Sequence, residues 1–143
     1  MKTVRQLLGE KGRQVWSIQP TDSVYDAIKM MADREIGVLV VTEGGQMVGI
    51  ISERDYARKV ILEGKSSRDT PVGDIMTTDV LRGTLDLPVD RGLALMTDKR
   101  IRHLPVLDEA ARLIGVISIG DVVRAVITDQ ENLIEDLERY ITG

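Results

Sequence analysis

The sequence contains one segment twice, and this internal repeat limits the possible folds more than any other feature of the chain. The run Val48–Asp55 matches the run Ile114–Asp121, with Gly, an apolar pair, Ser and Asp at the same offsets. Apolar positions on both sides also recur 65 or 66 residues apart. A unit of about 60 residues buries too little apolar surface to be stable on its own. We therefore predict two copies of one unit, packed sheet to sheet about a pseudo-two-fold axis.

Each copy is predicted to fold as a β-α-β-β-α unit, which places the chain in the α+β class. In the first copy, Val24 begins an apolar i, i+3, i+4, i+7 pattern that predicts a helix. The Gly44-Gly45 pair permits a tight turn between two short apolar runs, so these runs are predicted to form a hairpin. The predicted strands are 16–18, 38–41 and 47–51, and a second amphipathic helix is predicted at 55–62.

Composition along the chain divides it into three predicted parts. The polar segment Glu63–Pro71, marked by Gly, Ser and Pro, is a predicted linker. Residues 1–70 are expected to hold the first unit with an N-terminal lead-in helix, residues 71–128 the second unit, and residues 129–143 a C-terminal amphipathic helix. That last helix needs a partner surface, either the body of its own chain or a second copy. Its apolar stripe is Leu133, Ile134, Leu137, Tyr140 and Ile141.

Composition also argues against several classes of function. The net charge is −4 with both signs mixed along the chain, whereas nucleic-acid-binding proteins usually show a basic surplus. The chain has no Cys and one His, which removes thiolate catalysis and metal clusters built on Cys or several His residues. No apolar run approaches the roughly 20 residues that span a bilayer. We expect a cytoplasmic protein that binds neither nucleic acid nor membrane.

The repeated pattern resembles the CBS domain family, and the resemblance covers nearly the whole chain. It is carried by the two Gly-apolar-apolar-Ser-x-x-Asp runs, by the stretch Ile101–Val106 and by Asp74–Thr77 at the start of the second repeat. The longer runs that begin at Ser52 and Ser118 look like those of stand-alone bacterial CBS pairs. They also look like plant organellar relatives linked with thioredoxin regulation. The resemblance implies a tandem CBS pair with no catalytic domain attached.

In that family, clefts between the paired repeats bind adenosine-containing molecules: AMP, ADP, ATP, and sometimes NAD or S-adenosylmethionine. The resemblance implies that Asp55 and Asp121 hold the ribose hydroxyls, with Ser52 and Ser118 beside them. A carboxylate suits this role because it can accept two hydrogen bonds from a vicinal diol. Adenine would lie against apolar strand residues. The residues expected at the edge of adenine are Ser17, Ile18 and Pro20.

Each Ser-x-x-Asp run also has a purely structural interpretation. Ser can cap a helix start while the acid returns to the N-cap amide, as in a capping box, and this role can coexist with ligand binding. Arg54, Arg102 and His103 are the candidate phosphate contacts, because the planar fork of Arg donors suits phosphate. His103 could equally be a surface residue on a strand.

The two copies are not equivalent, so the resemblance implies unequal ligand sites. Gly120 stands where the first repeat has Arg54, and Val38 stands where the second repeat has His103. The second repeat also lacks a counterpart of Pro20. We expect one site to bind more tightly than the other.

Two functions remain open from the sequence. The first is a non-catalytic regulatory module, a homodimer that binds an adenosine-containing ligand and signals to a separate regulated protein. The second is a dimeric interaction scaffold, for example for a thioredoxin-like partner, without nucleotide binding. An enzyme is not expected, because the chain has no G-x-S-x-G, Walker A or Rossmann glycine motif.

Overall fold

The computed structural model describes residues 2–142; Met1 and Gly143, at the ends of the predicted first and last parts, lie outside the described residues. The chain forms two compact units. The first-repeat unit is Gln14–Leu81, and the second-repeat unit joins the N-terminal segment up to Arg13 to the chain from Arg82 onward. The helices are α1 (Val4–Lys11), α2 (Val24–Arg34), α3 (Glu53–Tyr56), α4 (Val72–Ile75), α5 (Val89–Lys99) and α6 (Ile119–Thr142), with a π-helical turn at Ala57–Ile61. The strands are β1 (Ser17–Ile18), β2 (Val38–Glu43), β3 (Gln46–Ser52), β4 (His103–Leu107) and β5 (Leu113–Ser118).

The first-repeat unit contains a three-stranded sheet covered by helices. β1 pairs in parallel with β2, and β2 pairs antiparallel with β3 through the Gly44-Gly45 turn. Both turn glycines have positive φ, 59° and 80°, which a residue without a Cβ adopts at little cost. The predicted second helix begins two residues early, at Glu53, and loosens into the π-helical turn. The buried core of the unit is Ile18, Val24, Ala27, Met31, Leu39, Val41, Ile51, Val60, Val72 and Ile75.

In the described chain, the second-repeat unit keeps the helix, the hairpin and the following helix of the predicted β-α-β-β-α order but not its first strand, so its sheet is smaller. β4 and β5 pair antiparallel. Gly83 alone takes the place of the first strand: it bridges Val106 in parallel, as Ile18 pairs with Val41 in the first repeat. A Cβ on Gly83 would come within 2.8 Å of the Leu104 side chain, so this close approach favours glycine. The α+β class with two repeated units is confirmed.

The predicted C-terminal helix is confirmed as part of a longer one. The last helix of the second repeat and the tail form a single helix of 24 residues, α6. Its first half is anchored in the second-repeat unit through the buried Val122 and Ala125. Every residue from Gln130 to Thr142 is exposed in the described chain.

Each short lead-in helix packs with the repeat that does not follow it in the chain. α1 precedes the first repeat but belongs to the second-repeat unit, whereas α4 precedes the second repeat but belongs to the first-repeat unit. The motif glycines make room for these contacts. A Cβ on Gly115 would lie 2.9 Å from the Leu8 side chain, and one on Gly49 would lie 2.7 Å from the carbonyl oxygen of Thr77, just after α4. The compact units therefore do not follow the predicted division at residues 70 and 71.

Two general properties of the described chain bear on function. Across residues 2–142, no helix combines the length and the apolar character needed to cross a membrane. Within the same residues, no group of three or more His, Asp or Glu side chains is placed to hold a metal ion.

Candidate functional site

In the first-repeat unit, Ser52 and Asp55 form a closed capping box at the end of β3. The Ser52 amide donates to Asp55 Oδ2 at 2.9 Å, and the Asp55 amide donates to Ser52 Oγ at 3.1 Å. The Ser52 hydroxyl also donates to Asp55 Oδ2, at 3.1 Å. The structural interpretation of this motif is therefore correct for the first repeat, and it uses one oxygen of the carboxylate.

The other carboxylate oxygen, Asp55 Oδ1, faces a cation and a hydroxyl. Lys59 Nζ lies 3.1 Å from Oδ1, and the Thr77 hydroxyl donates to it at 3.4 Å. Lys59 also donates to the carbonyl oxygen of Ile75 at 2.9 Å, which ties the π-helical turn to α4. The Asp55 side chain is 12% exposed and that of Lys59 is 45% exposed, so the cation is the more exposed member of the pair.

In the second-repeat unit, Ser118 and Asp121 repeat the same box at the start of α6. The Ser118 amide donates to Asp121 Oδ2 at 2.9 Å, and the Asp121 amide donates to Ser118 Oγ at 3.1 Å. Lys11, from α1, donates to the same Oδ2 and, at 2.9 Å, to the carbonyl oxygen of Val116. Arg124 Nη2 donates to Asp121 Oδ1 at 2.9 Å. Two cations thus converge on this carboxylate.

These contacts change the titration of Asp121. Partial burial on its own raises the pKa of the carboxyl, but hydrogen bonds from Lys11 and Ser118, together with the charge of Lys11, bring the pKa below its ordinary value. Asp121 is consequently ionised at neutral pH and available as a hydrogen-bond acceptor.

His103 lies beside this carboxylate. It pairs with Ser118 in the β4–β5 ladder, which places its half-buried ring in the same neighbourhood. Burial lowers the pKa of His103, the charges of Lys11 and Arg102 lower it further, and Asp121 opposes them. The ring is therefore neutral at pH 7, and as a phosphate contact it would act as a neutral hydrogen-bond donor.

The remaining predicted site residues lie apart from the two boxes or at their margins. Arg54 and Arg102 are exposed. Ser17 and Ile18 line a separate open depression of about 400 Å³, together with residues of α2 such as Asp26. The Pro20 carbonyl oxygen accepts from the Gly73 amide at 2.9 Å and so serves the packing of α4. The assignment of these residues to a ligand stays a prediction.

Three cations at the two carboxylates were absent from the predicted site. Lys59 and Arg124 stand four and three residues after their Asp, a helical spacing that puts them on the same face as the acid. That spacing in the sequence could have predicted both cations beside their acids. Lys11 is 110 residues from Asp121 in the chain, and no local pattern connects them.

The fold and the two boxes together define a class of protein: a module of two repeated α+β units, each presenting a capped Ser/Asp pair at the start of the helix after its hairpin. A family model described as "CBS domain" matches residues 10–62 and 72–128. The chain belongs to the CBS domain family, and the predicted tandem pair is confirmed. CBS pairs are regulatory modules.

Similar proteins agree with this assignment over nearly the full chain. A mitochondrial CBS domain-containing protein of Arabidopsis thaliana, CBSX3, is 43% identical over 99% of this chain and 72% of its own length. The solved structure of a CBS-domain protein from Burkholderia ambifaria is 49% identical, with a TM-score of 0.85, over 90% of this chain and 96% of that one.

A second solved structure contains ligands. The CBS domain pair of protein MJ0100 was solved in complex with 5′-methylthioadenosine and S-adenosyl-L-methionine. It is 25% identical to this chain, with a TM-score of 0.79, and the match covers 90% of this chain and 98% of that one. A related CBS pair therefore binds adenosine-containing molecules.

Proposed function

We propose that this chain is a non-catalytic regulatory module that binds an adenosine-containing ligand, such as AMP, ADP, ATP or NAD, and signals to a separate protein. The proposal rests on one observation: both repeats present an ordered carboxylate, Asp55 or Asp121, with one oxygen committed to the helix cap and the other to a side-chain cation.

The chemistry of such a carboxylate fits a ribose. An ionised carboxylate has about four acceptor positions, and a vicinal diol offers two hydroxyl donors. The cap keeps the acid fixed through Oδ2, so the diol would compete mainly for Oδ1. Its competitors are Lys59 in the first repeat and Arg124 in the second, both substantially exposed. A displaced cation could turn toward a phosphate of the same ligand.

The related MJ0100 pair supports the chemical class of the ligand, because its two ligands share an adenosine moiety with the four nucleotides named above. In this proposal the readout is a separate regulated protein. The cytoplasmic location stays a prediction.

The proposal is tested by calorimetry and thermal unfolding with AMP, ADP, ATP and NAD on the purified chain. Ligand at 100 times its dissociation constant should stabilise the protein by about 2.7 kcal/mol. Asp55→Ala and Asp121→Ala should each weaken binding at their own repeat by about tenfold or more, the value of a hydrogen bond to a charged group. Asp55→Asn and Asp121→Asn are the matched controls, because the amide oxygen can still serve the cap. Neutral behaviour of both Ala variants would refute the site.

A second function, a dimeric scaffold, is favoured by the exposed half of α6. Ile127, Ile134 and Ile141 recur every seven residues and are 48%, 56% and 81% exposed. A heptad of this kind is buried by a parallel second copy. With the isoleucines at position a, Glu131 and Glu138 fall at e. In a parallel pair, e positions lie opposite g positions, where the second copy has the apolar Leu133 and Tyr140. In an antiparallel pair, e positions lie opposite e positions, so acidic side chains would face each other.

Sedimentation equilibrium tests this dimer. The wild type should be dimeric at micromolar concentration, and Ile134→Asp should shift it to monomer because a carboxylate would enter the seam. Asn132→Asp is the control, since position 132 lies at f, on the far side of the helix. If Ile134→Asp left the oligomeric state unchanged, α6 would not be the dimer contact. A stable dimer that binds none of the four nucleotides but retains a protein partner would favour the scaffold.

A further inference from the structure

A depression in the second-repeat unit lies directly against Asp121, between α1 and α6. Its volume is about 330 Å³, within the range of small-molecule sites. Three cationic side chains, Lys2, Lys11 and Arg124, line it together with two acidic ones, Glu10 and Asp121. Leu7, Ala125 and Thr128 complete the lining.

The cations of this depression are held by acids that a ligand could replace. Lys2 Nζ pairs with Glu10 at 3.0 Å, while Lys11 and Arg124 share the single carboxylate of Asp121. If a ribose diol donated hydrogen bonds to Asp121, it would displace Arg124 from Oδ1 and leave Lys11 and Arg124 with fewer contacts to their one shared carboxylate. A neutral ligand brings no charge to replace those contacts, whereas a phosphate would offer both cations a new partner.

We propose that α1 makes the second-repeat site selective for phosphorylated adenosine ligands, with Lys11 and Arg124 binding the phosphate while Asp121 holds the ribose. This inference rests on the proposed function and adds the class of ligand for one of the two sites. Lys11 then has two successive partners: Asp121 in the free protein and the phosphate in the complex. The planar fork of Arg124 supplies a second, directional contact.

The first-repeat unit shows why this selectivity belongs to one site. Its carboxylate, Asp55, pairs with one lysine, Lys59, which also holds the Ile75 carbonyl oxygen. The carboxylate also accepts a hydrogen bond from the neutral hydroxyl of Thr77. A neutral nucleoside can replace these partners at smaller electrostatic cost, so the first site is expected to discriminate less between adenosine and AMP.

The test is titration calorimetry with adenosine and AMP on the full chain carrying Asp55→Ala. This substitution removes the ribose anchor of the first site, so that only the second site is measured. AMP should bind more tightly than adenosine by about tenfold or more, the size of one hydrogen bond between charged groups. Adding Lys11→Met should weaken AMP binding and leave adenosine binding unchanged, because adenosine has no phosphate and its diol would compete for Oδ1, which Arg124 contacts, whereas Lys11 contacts Oδ2. Lys99→Met, an exposed lysine at the end of α5, is the matched control.

The different responses expected for the two probes separate this role from a structural one. Equal weakening of adenosine and AMP by Lys11→Met would mean that Lys11 only supports the fold, and would overturn the inference. Lys11→Arg, which keeps the charge, should restore the preference for AMP. Equal affinities for adenosine and AMP before Lys11 is changed would also overturn it. If neither probe nor any nucleotide bound the wild type, the proposed function itself would fail.

Discussion

Asp55 and Asp121 occupy the same place in the two repeats, yet they have different neighbours. Their side chains are 12% and 13% exposed, and the hydrogen bonds that close the two capping boxes have the same lengths. The cation of Asp55 comes from the same helical segment, four residues on. Asp121 receives one cation from its own helix and another from α1. Duplication has thus kept the local hydrogen bonding and changed the surrounding charge.

This difference separates two requirements of the site. The cap depends only on Ser, Asp and the backbone between them, so any helix start with this motif can form it. The charge around the carboxylate depends on residues brought in from elsewhere in the chain. Under the proposed function, the two repeats would therefore hold the same part of a ligand with equal geometry and distinguish its remainder.

The largest expected difference between the repeats concerns their motif glycines. Gly49→Ala should destabilise the protein by about 2–3 kcal/mol, because its Cβ would lie 2.7 Å from the backbone oxygen of Thr77. Gly115→Ala should cost about 1 kcal/mol, because it meets the flexible side chain of Leu8 at 2.9 Å. Urea unfolding of both variants measures this. Gly9→Ala, where nothing lies within 4 Å of the new Cβ, is the control. A larger loss for Gly115→Ala would contradict the assignment of rigid and flexible contacts.

Unequal nucleotide binding is the next effect in size. Calorimetric titration with ADP should resolve two steps that differ by about tenfold, or about 1.4 kcal/mol, with the tighter step lost in Asp121→Ala. The reason is the additional cation that α1 supplies to the second repeat. Two binding steps of equal affinity would contradict the expected difference between the sites.

Removal of either cap should have a smaller and equal effect. Ser52→Ala and Ser118→Ala should each cost about 1 kcal/mol of unfolding free energy, because each removes the acceptor for one helix amide. Ser52→Thr and Ser118→Thr keep that acceptor and should stay close to wild type. Chemical denaturation of the four variants is the measurement, and clearly different costs for the two alanines would show that the boxes are not equivalent.

The smallest expected difference is in pH dependence. The pKa of His103 is lowered in the folded protein, so the unfolded chain binds more protons below about pH 6.5 and the folded state loses stability as the pH falls through that range. Val38, the equivalent residue of the first repeat, cannot titrate. Unfolding of wild type and His103→Val at pH 7.5 and 5.5 should show a smaller acid loss in the variant. An equal loss would exclude His103 as its source.

Local patterns predicted most of the individual elements. The spacing from Val24 to Met31, the Gly44-Gly45 turn and the Val-rich strand before it each indicated their structure, because helices and hairpins are specified by neighbouring residues. The loosened turn at Ala57–Ile61 carries no such signal. Gly83 forms an isolated bridge and approaches Leu104 closely, and both features are tertiary contacts that no local pattern specifies.

The partners of the elements were harder to infer. The sequence predicts a lead-in helix at the N-terminus, but the side chains that this helix buries, Val4, Leu7 and Leu8, do not say which sheet covers them. Lys11 was missed at the site for the same reason, since α1 reaches Asp121 only through the packing of the second-repeat unit. The repeat itself predicted Ser52, Asp55 and their counterparts, and their binding of a ligand stays a prediction.

Each lead-in helix packs with the repeat that does not follow it in the chain, and this arrangement determines which continuous fragments contain a complete compact unit. A fragment from Gln14 to Leu81 carries every element of its compact unit in one continuous stretch. A fragment that starts at Arg82 lacks α1 and the fully buried Leu8, so its sheet would present bare apolar surface to water. A truncation or bulky fusion at the amino terminus would accordingly damage the repeat farthest from it in sequence. The two repeats share one sequence pattern, but only the first has its whole compact unit in one continuous stretch of chain.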